Sequence, residues 1–368
     1  MSGEQFSPVQ LRQFQRRLLA WFDKHARDLP WRRSSDPYAI WVSEIMLQQT
    51  RVNAVLEHYA QFMQRFPTIH ALAQAEEPAV LAIWSGLGYY RRARMLHKAA
   101  RFVMQELGGA IPKTVEGLRT LPGVGEYTSA AIASIAFGEA AAVVDGNVER
   151  VIIRLAAVEP MHKGKANMLT RVVRQTADLL LDQTRPGDFN QAMMELGATI
   201  CLPKNPLCLQ CPVQKLCQTR GEHVTAPRKE MSSKPVSYAF LHKVDRKGHP
   251  VEILMEQRPQ EASLMASMWE LPQVEGFDTN SERLLLNVRH SITITNYYVS
   301  VLHFSPEEEH LLPEHMTRKW VSMEDLHALP LTGLARKVLK RLRVLPGYAS
   351  ASTPVQFGVK NTNILPLL

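Results

Sequence analysis

Between Ser7 and about Cys217 apolar residues return every three or four positions, and the interruptions fall at Pro, Gly or Asp. That is the pattern of helix following helix. The first helix is predicted from Pro8 to about His25 and is stopped by Pro30 in ARDLPWR. Asp36-Pro37 opens a second, with proline in its first turn, and this helix is predicted to run unbroken through AIWVSEIMLQQTRVNAVLEHYAQFM. A helix around Val80 to Trp84, the turn SGLGYY and a helix from near Arg91 come next. Residues 112–138 give two helices joined by LPGVG. Val148, Val151, Ile152 and Leu155 make the apolar stripe of another, with Asp145 at its N-cap position. DFNQAMMELGATIC then leads a last helix into a cysteine-bearing loop.

Beyond Cys217 the texture changes. TRGEHVTAPRKEMSSKPVS is polar, basic and punctuated by Pro and Ser, so residues 220–235 read as a linker after a helical domain of residues 1–219. VSYAFLHKV, VEILMEQR and SITITNYYVSVLHF are strand-like, and PLTGLARKVLKRLRVL is an amphipathic basic helix. Residues 236–345 therefore form an α+β domain of a different class, followed by a loose tail at 346–368. The tail ends in NILPLL, an apolar segment able to dock on a partner, with an unstructured end as the alternative.

The chain has 368 residues, 45% hydrophobic and 21% charged, enough for two domains with cores of their own. No apolar run reaches membrane-spanning length and MSGEQFSPVQ lacks a signal-peptide core. The expectation is a cytoplasmic, nucleoid-associated monomer without a membrane partner. A net charge of +8 favours polyanions only weakly, since basic residues are mostly solvated faces. Arg91, Arg92 and Arg94, and Arg336, Lys337, Lys340 and Arg341, are clusters compatible with phosphate contacts.

All four cysteines, Cys201, Cys208, Cys211 and Cys217, fall in one short loop with the spacing C-x6-C-x2-C-x5-C. Four thiolates so close together can surround one metal centre. Two disulfides are the alternative, disfavoured in a reduced compartment. Structural zinc prefers two short-spaced pairs, and only Cys208 and Cys211 make one. The wide outer gaps suit a [4Fe–4S] cluster better, although zinc stays open on spacing alone.

Glu44 has Ile40, Trp41, Leu47 and Gln48 as its helical neighbours, so it lies on or beside an apolar face. A carboxyl there has its pKa raised by desolvation and can serve as a general acid, although most helical Glu residues are simply solvated. In LPGVG, Gly123 and Gly125 bracket Val124 just before a new helix, an arrangement that lets backbone N–H groups seat a DNA phosphate. Asp145 either caps its helix and no more, or is also an ionised carboxylate able to face a developing cation.

Taken together, LPWR, SEIMLQQTRV, GLGYYRRAR, LPGVGEYTSAAI, VDGNVERV, FNQAMMELGATIC and the cysteine spacing resemble the MutY family of adenine DNA glycosylases. That family lies within the endonuclease III superfamily of helix–hairpin–helix base-excision enzymes. The resemblance runs in order through about two hundred residues. It implies a mostly α two-lobed helix–hairpin–helix glycosylase domain, with a [4Fe–4S] cluster held by Cys201, Cys208, Cys211 and Cys217. Lys204 and Lys215 of that loop would present positive charge to phosphates. Bifunctional relatives carry a Schiff-base lysine where this chain has Tyr127, so the implied activity is hydrolysis without strand cleavage.

The implied substrate is duplex DNA with adenine opposite 8-oxoguanine or guanine. Glu44 would protonate the adenine, Asp145 would stabilise the oxocarbenium ion, and Tyr127 and Asn147 would assist. Gln49 and Tyr89 would wedge the stack, with Leu47, Gln48, Thr50 and Leu87 beside the 8-oxoguanine; interior packing is the alternative for Leu47 and Leu87. Arg27, Trp31, Arg32, Gln191 and Glu195 are candidates for holding the base. EILMEQRP and MWELPQ look like remnants of a Nudix-like 8-oxoguanine-reading domain that lacks the acidic Nudix box. The family's Phe-Ser-His element would fall on Ile292, Thr293 and Ile294, which keeps a hydroxyl at Thr293 but not the aromatic or the histidine.

Overall fold

The computed structural model describes residues 6–158, 166–222, 230–278, 282–315 and 317–345. The chain divides into two compact units, one of Met1–Ala75 with Arg91–Pro227, the other of Glu76–Tyr90 with Arg228–Leu368.

The first unit opens with α1 (Pro8–His25), which starts at a capping box between Ser7 and Gln10 and buries Phe14, Leu18, Leu19 and Phe22. Asp36 caps α2 (Pro37–Leu47), and every residue from Tyr38 to Met46 is buried, so this is a core helix rather than a surface one. The unbroken helix predicted from Ala39 to Met63 is not what forms. The chain breaks at Gln48–Arg51 and restarts as α3 (Val52–Arg65). The reason lies elsewhere in the sequence. The Arg92 guanidinium donates to the carbonyls of Ile45, Met46 and Gln48 and to Oγ1 of Thr50. A charged donor thus satisfies carbonyls that a continuing helix would have bonded itself, and Gln49 turns out of the helix at φ +56°.

After α4 (Ile69–Gln74) the chain passes through α5 (Glu77–Trp84), which belongs to the second unit, and returns in α6 (Arg91–Glu106). α7 (Val115–Arg119) and α8 (Glu126–Phe137) flank the LPGVG turn. α9 (Gly146–Leu155), α10 (Ala166–Leu180) and α11 (Pro186–Thr199) complete the unit's helices among the described residues. One core gathers Phe14, Leu18 and Phe22 of α1, Val151, Ile152 and Leu155 of α9, and Phe189 and Leu196 of α11. The cysteine loop packs on it through Val213, Leu216 and three of its thiols. α8 is built of small residues, and its buried Ala130 and Ala131 form a second core with Val143.

The second unit is α+β. Its strands are β1 (Ser232–Val244), β2 (Pro250–Gln257), β3 (Trp269–Glu270), β4 (Gln273–Val274), β5 (Leu284–Ile292), β6 (Thr295–Phe304) and β7 (Arg318–Ser322). They form a mixed sheet of order β3-β2-β1-β6-β5, with β4 on β1 and β7 on β2. β1 runs parallel to β6 from Ser232↔Thr295 to Leu241↔Phe304, so Ser232 to Pro235 are strand where a linker was expected. SITITNYYVSVLHF is likewise not one strand: it turns at Thr293–Ile294, the tip of the β5–β6 hairpin. Successive β1 residues face opposite cores. Tyr238 and Phe240 join α12 (Gly333–Arg341), while Ala239 and Leu241 join Leu302 and Phe304. The rest of the expected linker (223–229) and the expected tail from Pro346, including NILPLL, lie outside the described residues. Among the described residues no helix is long and apolar enough to cross a membrane.

Candidate active site

Three carboxylate and phenol groups from distant parts of the sequence share one open cleft of about 170 Å³ in the first unit. Glu44 projects from the middle of α2 and is 5% exposed. Burial pushes its pKa up to about 7, with the Asp145 charge adding to the rise while the Tyr127 hydroxyl and Arg32 oppose it. Tyr127 stands in the first turn of α8, and its hydroxyl donates to Glu44 Oε2 at 2.7 Å. Burial, then the neighbouring carboxylates, drives that phenol well above its usual range, so it keeps its proton here. Asp145 caps α9 and lines the same cleft. Its Oδ1 accepts from the amides of Asn147 (2.9 Å) and Val148 (2.7 Å), and its Oδ2 accepts from Asn147 Nδ2 (2.8 Å). Asp145 is thus the cap of α9 and also a wall of the cleft.

Arg27, Trp31, Arg32, Gln191 and Glu195 line this cleft too. Glu195 is 1% exposed and takes both arginines on one carboxylate, Arg27 Nε at 2.6 Å and Arg32 NH2 at 2.9 Å. Burial alone would raise its pKa, but the bonds and charges of Arg27 and Arg32 outweigh it and hold the carboxyl low. Arg27 is raised in turn, chiefly by its bond to Glu195. The carboxylate thus fixes two cationic forks at the cleft wall. Trp31 is braced edge-on against Tyr59.

Arg150 is a residue that the linear pattern gave no reason to single out. Its Nε donates to the Cys201 carbonyl at 2.8 Å and its NH2 to Gly197 O (2.6 Å) and Asn147 Oδ1 (2.9 Å). A continuous chain of bonds thus leads from the cysteine loop through Arg150 and Asn147 to Asp145. Arg154, one turn on and 2% exposed, donates to the carbonyls of Leu202 and Pro203 and approaches Cys201 Sγ at 3.4 Å. Both arginines lie on a helix that reads from sequence as charged at its exposed positions, so only the fold reveals them.

Cys201, Cys208, Cys211 and Cys217 are all free thiols and line one cavity. Burial and the three neighbouring sulfurs raise Cys211 to about 11. Among the described residues no group of three or more His, Cys, Asp or Glu is arranged to hold a single metal ion. Four free thiols lining one cavity are the donor set that a [4Fe–4S] cluster takes.

In the LPGVG turn Gly123 has φ +76°, and a Cβ there would lie 2.5 Å from Met95 Cβ. The Val124 amide donates to Leu121 O at 3.1 Å within the turn. Gly125 caps α8 without any side-chain bond, which leaves the first amides of that helix uncapped by side chains. Lys204 and Lys215 of the cysteine loop are exposed.

Leu47 and Thr50 line the cleft, and Gln48 Nε2 donates to Thr128 Oγ1 at 3.0 Å. Gln49 is exposed on its strained turn. In the second unit Tyr89 is 49% exposed, whereas Leu87 is 6% exposed, in keeping with the interior-packing alternative. Thr293 is exposed at the hairpin tip, its hydroxyl turned to Ile292 O at 2.7 Å. The basic clusters are less available than expected. Arg92 is absorbed by α2, Lys337 donates to Arg289 O (2.7 Å), and Arg336 donates to Ser85 (2.9 Å).

Residues 42–175 match the HhH-GPD superfamily of base excision DNA repair proteins. A solved thermostable thymine-DNA glycosylase is 30% identical, with a TM-score of 0.51, over 57% of this chain and 95% of that one. The chain belongs to the HhH-GPD superfamily. Among curated superfamily relatives, the adenine DNA glycosylase of Homo sapiens is 50% identical over 218 residues, 56% of this chain. That of Mus musculus is 41% identical over 316 residues, 71% of this chain. The matches span 39% of the human protein and 60% of the mouse protein. The hairpin that gives the HhH-GPD superfamily its name is the α7–LPGVG–α8 element.

Proposed function

We propose that this protein is a monofunctional adenine DNA glycosylase that removes adenine opposite 8-oxoguanine or guanine in duplex DNA. The observation that carries the reading is the pair of unlike carboxyls in one cleft, Glu44 buried with a pKa of about 7 and Asp145 held by two backbone amides. Two such groups in different surroundings divide the roles of acid and electrostatic stabiliser. The names of the relatives at 50% and 41% identity support adenine as the base.

Adenine inside a duplex is out of reach, so it must be extruded, at a cost of roughly a few kcal/mol. Gln49 and Tyr89, each exposed on a turn with positive φ, would enter the stack. Arg27, Arg32, Trp31 and Gln191 would line the base pocket, with Glu195 fixing the two arginines. Glu44 donates its proton to N7 of adenine, and the C1′–N9 bond breaks with its electrons passing to the base. The Asp145 carboxylate, positioned by Asn147, faces the oxocarbenium ion, and water adds at C1′ while giving its proton to the Glu44 carboxylate. With Tyr127 where a lyase would need an amine, no Schiff base forms and the sugar–phosphate backbone stays intact.

Cys201, Cys208, Cys211 and Cys217 would hold a [4Fe–4S] cluster, which when bound would pin the loop that Arg150 and Arg154 join to α9. The first amides of α8 would accept a phosphate, with Lys204 and Lys215 adding positive charge. The mixed sheet of the second unit would serve as a Nudix-like reader of 8-oxoguanine, with Thr293 at its hairpin tip.

The test is single-turnover cleavage of duplexes carrying adenine opposite 8-oxoguanine, guanine or cytosine, and thymine opposite guanine, each with and without alkali. Alkali-dependent product that is fastest opposite 8-oxoguanine and absent opposite cytosine is expected. Product without alkali would refute the monofunctional reading. Product from the thymine duplex alone would transfer the protein to another substrate.

A further inference from the structure

Ser85 to Tyr90 form a turn whose backbone is held in an unusual shape. Gly86, Gly88 and Tyr89 all have positive φ, at +111°, +72° and +50°. For tyrosine that conformation persists only where the surroundings impose it. Those surroundings are polar and dry. Ser85 is 1% exposed and Tyr90 4%, and their hydroxyls converge on one acceptor, the carbonyl of Leu331, at 2.7 and 3.0 Å. Arg336 Nε donates to Ser85 Oγ at 2.9 Å, and the Gly86 amide donates to the Tyr90 hydroxyl at 3.4 Å. Trp84 Nε1 closes the loop on Gly88 O at 3.2 Å.

Leu331 is itself tied into the sheet. It is fully buried and bridges to Trp269 of β3, and the residue after it, Thr332, both bonds Trp269 O and caps α12. Both ends of the turn are therefore tied to one carbonyl in the frame of the sheet, and between them the Tyr89 ring is left half exposed. A packing motif would bury that ring. This one spends buried hydroxyls to hold it out.

We propose that Ser85, Tyr90 and Arg336 are positioning residues for base extrusion: with the Leu331 carbonyl they fix the turn so that Tyr89 is presented, ready-shaped, to the DNA stack. This rests on the glycosylase reading and deepens it. The second unit then contributes a mechanical seat for the wedge, separate from any reading of the opposite base. An aromatic wedge has most effect when its conformation is fixed before contact, because ordering it on binding would offset the gain.

The test uses the full chain with Ser85→Ala, Tyr90→Phe and the double substitution, each made also in a Tyr89→Ala background. Extrusion is followed by the fluorescence of 2-aminopurine placed opposite 8-oxoguanine, and excision by single-turnover rates. The double substitution removes both hydroxyls from the Leu331 carbonyl, and with them the bonds from Arg336 and the Gly86 amide; about a tenfold loss of extrusion is expected, with DNA affinity little changed. In the Tyr89→Ala background the same pair should add nothing. Equal losses in both backgrounds, or no loss with Tyr89 present, would overturn the proposal. If wild-type protein excises no base, the glycosylase reading fails. The clasp is then decided by amide exchange at Gly86–Tyr90, expected about tenfold faster in the double variant, with unchanged exchange refuting it. Should the double variant not fold, Arg336→Ala, a half-buried position, is read by the same measurements.

Discussion

The Tyr127 hydroxyl donates a 2.7 Å hydrogen bond to Oε2 of Glu44 inside the cleft, pairing two side chains 83 positions apart. Burial works to keep the Glu44 proton on, and this bond works to take it off. The balance falls at a pKa of about 7, where the group is both populated as an acid and willing to give up its proton.

Excision should therefore depend on protonated Glu44. Its rate should fall by about tenfold per pH unit above a midpoint near 7, and Glu44→Gln should abolish it while DNA binding persists. Stability carries the opposite sign. A carboxyl whose folded pKa is raised destabilises the fold as pH climbs from the ordinary 4.5 through about 7, because the folded state holds a proton that the unfolded chain has released. Glu44→Gln should thus be more stable than wild type at pH 8, by on the order of 2–3 kcal/mol, and nearly equal near pH 4. Denaturant titrations at both pH values check this, and a variant that is less stable at pH 8 contradicts it.

Tyr127→Phe removes the bond that most opposes burial at Glu44. The alkaline midpoint of the excision profile should move upward, by about one pH unit, rather than simply losing height. A lower rate with an unmoved midpoint would mean that Tyr127 acts on the substrate and not through Glu44.

Much of this cleft was legible in the sequence, and the parts that were not have a common cause. Glu44 betrayed itself by its apolar helical neighbours, and Asp145 by its place before the stripe of Val148, Val151 and Ile152. α1 and α9 were readable because caps and periodicity are local. The break at Gln48–Arg51 was not, because Arg92, more than forty residues on, bonds the carbonyls that end α2. Leu87 left lesion contact and interior packing open, and only the fold shows it buried beside an exposed Tyr89. Lys337 and Arg336 look like a phosphate-binding face until the β5 carbonyl of Arg289 and the Ser85 hydroxyl are seen to occupy them. A cation's partner is a tertiary fact.

Arg150 tests whether the cysteine loop and Asp145 are mechanically joined. Arg150→Ala cuts four bonds at once, to Cys201 O, Gly197 O, Gly146 O and Asn147 Oδ1. Single-turnover excision should fall about 10- to 100-fold, because Asn147 loses the partner that fixes its contact with Asp145. Arg150→Lys should rescue little, since one ammonium cannot reproduce a fork that reaches four acceptors. Full rescue by lysine would reduce Arg150 to a charge.

Gly197 tests the same junction by bulk. A Cβ on this α11 residue would lie 2.6 Å from Asn147 Cβ and 2.9 Å from Asn147 O, so α9 and α11 approach this closely only because the side chain is absent. Gly197→Ala pushes against backbone that cannot swing away, and a loss of about 1–3 kcal/mol is expected, together with excision, since the residue displaced is the one holding Asp145. Gly146→Ala is the matched control. It sits in the first turn of α9 beside Asp145, its φ is not left-handed, and nothing lies within 4 Å of the added methyl. Alanine there should be neutral or stabilising by up to about 1 kcal/mol. Equal losses at the two glycines would mean that α9 tolerates no side chain near Asp145 at all, and would remove the close approach at Gly197 as the explanation.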